Sequence, residues 1–368
     1  MKTVTMSLGN RSYDIIVGSG ILPTLGSMAK DAVGASKYFF VLDQQIEATY
    51  GKEAMHSFGG DTPSCAIEAI ESEKTLAAVQ GIWSAMIDSG CDRQCPLVAI
   101  GGGIVGDVGG FAAAAFMRGV PLIQVPTTLL AMVDASIGGK TGVNLPICLS
   151  DGSSVWGKNL VGSYWQPRLV VADVDTLHSL DDRQFRCGLA ECVKHSILGN
   201  EDLKEFIQQN SDAILSRDRD LLIELVVRSV TIKAEIVAKD ERESGCRALL
   251  NLGHTFAHAI EPLPELSLFH GEAVSIGLCA AMACAEATGL VNAAVVDGTR
   301  DLLCSLGLPT RLPMPVNAED LFILMRADKK STDGTIRLVL PTGGDATIVD
   351  DVNEGAIGLA WASVGASA

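Results

Sequence analysis

Residues 96–116, PLVAIGGGIVGDVGGFAAAAF, decide the fold. They run from an apolar stretch through three consecutive glycines into a series of small residues, the order of a buried strand, a tight turn and a closely packed helix. Gly101, Gly103 and Gly106 satisfy the G-x-G-x-x-G spacing. Such glycines let the backbone approach a ligand, and the helix N-terminus that follows favours a pyrophosphate. The same pattern also serves a strand-to-helix turn that holds nothing, so the glycines alone leave both readings open.

On either side, KYFFVLD (37–43), PLIQV (121–125) and RLVVAD (168–173) alternate with Ala- and Gly-rich helical stretches. That alternation predicts parallel strands joined by crossover helices. A second polar and glycine-rich loop, PTTLLAMVDASIGGKTGVN (126–144), follows the next strand and holds Thr127, Thr128, Asp134, Lys140 and Asn144. Two such loops at the carboxyl ends of neighbouring strands are where an open α/β sheet binds its ligand. From about Asp181 the texture changes to long helical periods, as in DLLIELVVRSVTIKAEIVAK (220–239) and GEAVSIGLCAAMACAEATGL (271–290). IRLVLP (336–341), Gly343, Gly344 and ATIVD (346–350) read as a late hairpin. The fold class is α/β, with a Rossmann-like parallel-sheet domain over 1–180 and a mainly α-helical domain over 181–368; a chain of 368 residues suits two domains.

Composition bounds the function. With 28 Lys and Arg against 44 Asp and Glu, the formal net charge is -16, which argues against general nucleic-acid binding because phosphate contact needs a basic face. An anionic substrate needs a local basic cluster working against that field. No run reaches the roughly 20 apolar residues of a membrane span. The start, MKTVTMSLGNRSYD, lacks the apolar segment of a secretory signal, so the expectation is a cytoplasmic protein without a membrane partner. The ten cysteines are scattered, which predicts buried free thiols rather than a disulfide framework. Cys91 and Cys95 are close in sequence, but no second pair follows at a zinc-ribbon spacing, and they read as structural.

Three of the six histidines, His254, His258 and His270, lie within NLGHTFAHAIE (251–261) and the residues just after it. His254 and His258 are four apart and share a helix face. Imidazoles from neighbouring helices plus one carboxylate would give a catalytic divalent metal three ligands and leave a position open. Glu191, Glu261 and Glu272 are the candidate carboxylates. Each histidine taken alone could equally be a hydrogen-bonded core residue; three so closely placed favour metal or catalytic use. Cations also sit beside glycines or small residues: Lys140, Lys158, Lys194, Lys233, Arg247 and Lys329. Lys233 and Arg247 interrupt otherwise apolar helical faces, which is unfavourable unless an anion pairs with them.

At these residues the chain resembles the 3-dehydroquinate synthases of the sugar phosphate cyclase superfamily, from about residue 35 to 345. The motifs occur in the family's order: GGGIVGDVGGFAAAAFMRG, QVPTTLLAMVDASIGGKTGVN, GKNLVGSYWQP, GLAECVKH, RALLNLGHTFAHAIE, FHGEAV and ADKK. The resemblance implies Glu191, His254 and His270 as ligands of Zn2+ (or Co2+), where spacing alone pairs His254 with His258; it moves His258 to the substrate phosphate. It implies that Asp134, Lys194, Lys233, Arg247 and Asn251 line the pocket of a phosphorylated sugar acid. Lys140, Asn159, His258 and Lys329 would grip phosphate, helped by Arg118 from the second subunit of a homodimer. For NAD it points to Asp43, Glu71, Lys74, Gly102, Gly103, Asp107, Thr127, Thr128 and Lys158. Asp43 ends a strand, where a carboxylate can hold a ribose hydroxyl.

The reaction so implied converts 3-deoxy-D-arabino-heptulosonate 7-phosphate into 3-dehydroquinate and phosphate in the shikimate pathway. It proceeds by transient oxidation with NAD, β-elimination of phosphate, re-reduction and an intramolecular aldol closure, with no net oxidation. The chain departs from the family in three places. PICLSDGSSVW (146–156) adds about nine residues before Lys158 and Asn159. Gln45 stands where asparagine is usual, and the segment from Glu71 to Lys74 lacks a preceding glycine. Two rival activities share the architecture. A sedoheptulose 7-phosphate cyclase has no substrate carboxylate to bind, whereas Arg247 and Asn251 suit one. A metal-dependent polyol dehydrogenase would release NADH, and the phosphate-gripping set argues against it.

Overall fold

The computed structural model describes residues 1–59, 61–148, 154–199, 201–327 and 336–367. The chain forms two compact units, Met1–Leu180 and Asp181–Ala368. In the first, the strands are β1 (Lys2–Met6), β2 (Tyr13–Gly18), β3 (Phe39–Asp43), β4 (Ser64–Ile67), β5 (Leu97–Gly101), β6 (Leu122–Pro126), β7 (Lys140–Cys148), β8 (Ser154–Tyr164) and β9 (Leu169–Asp173). Seven of them make one sheet in the order β1-β2-β9-β6-β5-β3-β4, parallel throughout except for β1 against β2. Its helices are α1 (Leu25–Val33), α2 (Lys52–His56), α3 (Leu76–Asp88) and α4 (Gly103–Ala115).

Every residue of β5, β6 and β9 is buried, because a central parallel strand is covered on both faces and therefore reads as an unbroken apolar run. In β3 the alternation of the pleat separates two cores. Phe39 and Val41 pack with Val79, Ile82 and Met86 of α3 and Val105, Val108 and Ala112 of α4. Phe40 and Leu42 pack with Leu22, Leu25 and Ala29 on the other face. The chain leaves β3 outward to β4 and then returns to β5 on β3's opposite side, so its direction of winding reverses between β3 and β5. A crevice outside the carboxyl ends of strands at such a reversal is the general ligand position of open α/β sheets.

The second unit holds α5 (Asp182–Ile197), α6 (Glu201–Leu215), α7 (Arg219–Lys239), α8 (His254–Ile260), α9 (His270–Ala287), α10 (Ala293–Ser305), α11 (Ala318–Ala327) and α12 (Glu354–Ser363). Asp181 and Asp218 start α5 and α7 by accepting hydrogen bonds from first-turn N–H groups, as N-caps do. The expected late hairpin forms as β10 (Arg337–Pro341) antiparallel to β11 (Ala346–Asp350). α9 is buried from Ala273 to Ala285, with α5, α8, α10 and α12 packed against it. No helix among the described residues is long and apolar enough to cross a membrane.

Four features differ from the reading of the sequence. The N-terminal segment forms the β1–β2 hairpin. Of the added residues, 146–148 and 154–156 pair with one another and lengthen a second antiparallel hairpin, β7–β8, bulged between Val143 and Leu145. Arg247 lies not on a long helix but in the 3-10 turn Cys246–Asn251, because α7 ends at Lys239 and a non-helical loop leads into that turn. Finally, Cys65, Cys91, Cys95, Cys187, Cys192, Cys246, Cys279, Cys284 and Cys304 are free thiols, yet Cys246 and Cys304 are exposed, the first in that turn and the second on α10.

Candidate active site

Two assemblies bring together most of the residues singled out above, one in each unit. In the first unit Asp43 ends β3 and Gly101 ends β5, the two strands that flank the winding reversal. A Cβ at Gly102 would stand 3.1 Å from the Thr128 methyl, a close contact that glycine avoids and that only a small shift of the neighbour would relieve. Thr127 N–H donates to the Gly101 carbonyl at 3.0 Å and joins the two loops. In the same unit, Lys74 Nζ lies 2.6 Å from both Asp107 Oδ2 and Asn159 Oδ1. Asn144 Nδ2 donates to Glu71 Oε1 at 2.8 Å, and Asn144 Oδ1 accepts from the Asn159 N–H at 2.9 Å. Glu71, Lys74, Asp107, Asn144 and Asn159 are thus one polar node. It ties the residues assigned to the nucleotide to Asn159, which the resemblance assigns to phosphate.

Asn159 itself has φ 52° and Arg118 φ 69°, both in the left-handed region that ordinary side chains seldom occupy. Arg118 is exposed, between Met117 at φ 47° and Gly119 at φ 117°. Asp134 lies in the π-helical turn Ala131–Ala135, Lys140 opens β7 and Lys158 is an exposed residue of β8. Lys329 lies outside the described residues.

In the second unit Glu191 of α5, His254 at the start of α8 and His270 at the start of α9 converge, with ligand atoms all within 4.8 Å of one another. Glu191 Oε1 is 3.5 Å from His254 Nε2 and 3.5 Å from His270 Nε2. The edge of a tetrahedral zinc site with bonds of about 2.1 Å is about 3.4 Å, so these spacings are those of ligands around one ion. Both Glu191 oxygens are buried and neither meets a hydrogen-bond donor in good geometry, although Oε2 is ion-paired with Lys194. A carboxylate in that condition is expected to carry a further cation. The donor set of one carboxylate and two imidazoles fits zinc or cobalt. Each histidine turns Nδ1 outward to an acceptor, Leu252 O at 3.2 Å for His254 and Glu261 Oε2 at 3.2 Å for His270, leaving Nε2 facing Glu191.

The charges of the cluster agree with its geometry. Burial opposes ionisation of Glu191, but the Lys194 ammonium and then His254 and His270 outweigh it and hold the carboxyl well below its usual range. Burial, with Lys194 nearby, pushes His254 down to about 4. His270 is disfavoured by burial too, yet its contacts to Glu191 and Glu261 raise it to about 10. A ring between two carboxylates lies where positive charge is favoured, and a bound cation would supply that charge with the imidazole neutral.

Close helix contact makes the convergence possible. A Cβ on Gly271 would stand 2.3 Å from the Cys187 carbonyl oxygen, and one on Gly277 2.3 Å from the Gly253 carbonyl oxygen. α9 therefore rests backbone to backbone on α5 and on the entry to α8. Of the three carboxylates weighed from the sequence, Glu191 stands with both Nε2 atoms, Glu261 behind His270, and Glu272 in an ion pair with Arg183 at 2.6 Å. His258 shares the His254 face, ring centroids 5.6 Å apart, but stands outside the three.

Nearby, Arg247 is buried and donates to the Glu241 carbonyl, Lys233 of α7 is buried, and Asn251 Nδ2 donates to Glu243 Oε1 at 2.7 Å. Reading the sequence passed over Glu243 and Asp240. Both lie in the polar run KDERESGCR (239–247), where nothing but the glycine marks a turn. Asp240 accepts from the N–H groups of Ser244, Gly245 and Arg247 and so holds the loop that carries Arg247.

Sheet topology and cluster together define a class: an α/β unit with a glycine turn at its winding reversal, followed by a helical unit with a metal-competent centre. Residues 64–187 match the family described as 3-dehydroquinate synthase N-terminal, and residues 188–331 the one described as 3-dehydroquinate synthase C-terminal. The chain belongs to the 3-dehydroquinate synthase family. It is 42% identical to the 3-dehydroquinate synthase of Nitrosococcus oceani over 355 residues, 95% of this chain and 96% of that protein. Among solved structures it superposes with a TM-score of 0.84 and 30% identity on 2-epi-5-epi-valiolone synthase from Streptomyces hygroscopicus with NAD+ and Zn2+ bound, covering 96% of both chains. With 2-deoxy-scyllo-inosose synthase, complexed with carbaglucose-6-phosphate, NAD+ and Co2+, the TM-score is 0.83 at 27% identity, covering 97% of this chain and 98% of that one.

Proposed function

We propose that the chain converts 3-deoxy-D-arabino-heptulosonate 7-phosphate into 3-dehydroquinate and phosphate, in the shikimate pathway, as a lyase dependent on NAD and a divalent metal. The observation that carries this reading is the Glu191–His254–His270 cluster, with Glu191 and His254 buried, in a chain of this family. When bound, NAD+ supplies a reversible hydride acceptor and Zn2+ or Co2+ polarises substrate oxygens, which is why elimination and ring closure can proceed with no net oxidation.

The chain's own residues bind and orient. Asp43 is assigned to a ribose hydroxyl and the Gly102–Gly103 backbone to the pyrophosphate, with Glu71, Lys74, Asp107, Thr127, Thr128 and Lys158 completing the nucleotide site. Glu191, His254 and His270 are assigned to the metal. Arg247 takes the substrate carboxylate, for which a guanidinium fork is suited, and Asn251 assists it. Asp134 and Lys194 are assigned to the same substrate. Lys140, Asn159, His258 and Lys329 are assigned to the phosphate, together with Arg118 of the partner subunit in a homodimer; the exposure and strained backbone of Arg118 support a contact outside its own chain. A cytoplasmic location belongs to the same reading.

The test is phosphate release from 3-deoxy-D-arabino-heptulosonate 7-phosphate with substoichiometric NAD+, with and without a chelator, while NADH absorbance is followed. Chelator-sensitive release without accumulating NADH is expected. Absence of release, with turnover of sedoheptulose 7-phosphate instead, would replace the substrate; accumulating NADH would replace the reaction class.

A further inference from the structure

The two histidines of the cluster are held differently. His254 turns Nδ1 to a backbone carbonyl, whereas His270 turns Nδ1 to the Glu261 carboxylate at 3.2 Å. Glu261 is the residue at which α8 ends, directly before Pro262, whose ring cannot continue a helix. Its backbone N–H is tied to the Ala257 carbonyl at 2.8 Å, and its side chain is largely buried. The carboxylate is therefore fixed by the end of one helix and addresses the first residue of the next, although 262–269 intervene in sequence.

We infer that Glu261 is a positioning residue for His270: it accepts the Nδ1 proton, fixes the ring and its tautomer, and so aims the Nε2 lone pair at the ion that Glu191 and His254 share. The inference deepens the metal-site reading and rests on it. A carboxylate behind a ligating imidazole raises the basicity of the ligand and restricts its rotation, and losing such a partner typically weakens metal binding by about 10–100-fold. His270 needs the device more than His254 does, because its side chain is 31% exposed against 11%. An imidazole at the rim has fewer packing neighbours to hold its ring.

The experiment is a competition titration of Zn2+ between a chromogenic chelator and the wild-type, Glu261→Gln and Glu261→Ala proteins, with Co2+ absorption spectra of each loaded protein. Glu261→Gln keeps an acceptor of the same shape and serves as the deciding variant if Glu261→Ala does not fold. The expected order of affinity is wild type, then Gln about threefold to tenfold weaker, then Ala about 10–100-fold weaker, with Co2+ band positions retained in the Gln variant. Affinities of both variants within twofold of wild type would overturn the inference. So would shifted Co2+ bands in Glu261→Gln, which would put Glu261 on the metal itself. A wild-type protein that binds neither ion would instead sink the metal-site reading, which separates the two failures.

Discussion

The crevice of the first unit is made by backbone and by what is absent, while the cluster of the second is made by side chains brought from three helices. At the winding reversal between β3 and β5, missing Cβ atoms leave room beside Asp43 and Thr128, and the glycines that leave it, Gly101 and Gly102, are adjacent in the chain. Glu191, His254 and His270 span 80 residues of sequence and meet only because α9 lies against α5 and α8 at backbone contact. A site of the first kind should lose its ligand without losing its fold. One of the second kind should be inseparable from the packing of its helices.

The harshest way to test that contrast is Gly271→Ala. A methyl group 2.3 Å from the Cys187 backbone cannot be relieved by a rotamer change, so the second unit should lose about 3 kcal/mol or more. A fall in thermal midpoint of about 6–12 °C, together with loss of metal, is expected. An unchanged midpoint would show that the helices are not locked together there. Next comes His270→Ala, which should reduce zinc affinity at least about 100-fold, beyond the usual loss of an outer partner. Metal content after dialysis checks it, and activity surviving in the metal-free variant would overturn the assignment of the cluster.

The first unit should respond more gently. In Gly102→Ala the new methyl meets Thr128 Cγ2 at 3.1 Å, a contact that a small shift relieves. NAD+ affinity should drop about tenfold, about 1.4 kcal/mol, with an unaltered melting curve; a melting curve that falls along with the affinity would erase the contrast between the units. The smallest effect is assigned to Asp240→Asn, expected to lower the midpoint at neutral pH by about 2–4 °C. Burial opposes the Asp240 charge, but N–H donors from Ser244, Arg247 and Gly245 outweigh it and hold the carboxyl at about 2, below its ordinary 3.8. A depressed carboxyl contributes stability above the unfolded value and loses it as pH falls through the folded one. The difference between wild type and variant should therefore close between about pH 4 and pH 2, and a difference independent of pH would sink the assignment.

The same contrast explains what could be read without a structure. The strands around 39–43, 97–101, 122–126 and 169–173 were legible because central parallel strands are apolar throughout, and the glycine turn because its spacing is local. The histidines announced themselves by their density along the chain, but spacing pairs His254 with His258, since a helix face is all that sequence distance measures. The partner of His254 had to come from another helix, and the glycines that allow it, Gly271 and Gly277, look in sequence like ordinary small residues of an apolar run. The N-terminal hairpin was missed because its polar outer residues resemble a loop. The turn carrying Arg247 was missed because Asp240 organises it through backbone N–H groups, which leave no pattern of residue types.

The ends of the large sheet also bear on how the protein behaves in a crowded solution. On one side the sheet stops at β4, four residues long; on the other it stops at β1, which carries Lys2 and mostly exposed side chains. A second chain looking for an open row of peptide groups finds too short a template at one margin and a charged, polar one at the other, as proteins that resist edge-to-edge aggregation arrange. Self-association by strand addition is thereby disfavoured in this unit, and its seven strands close off rather than seed a growing sheet.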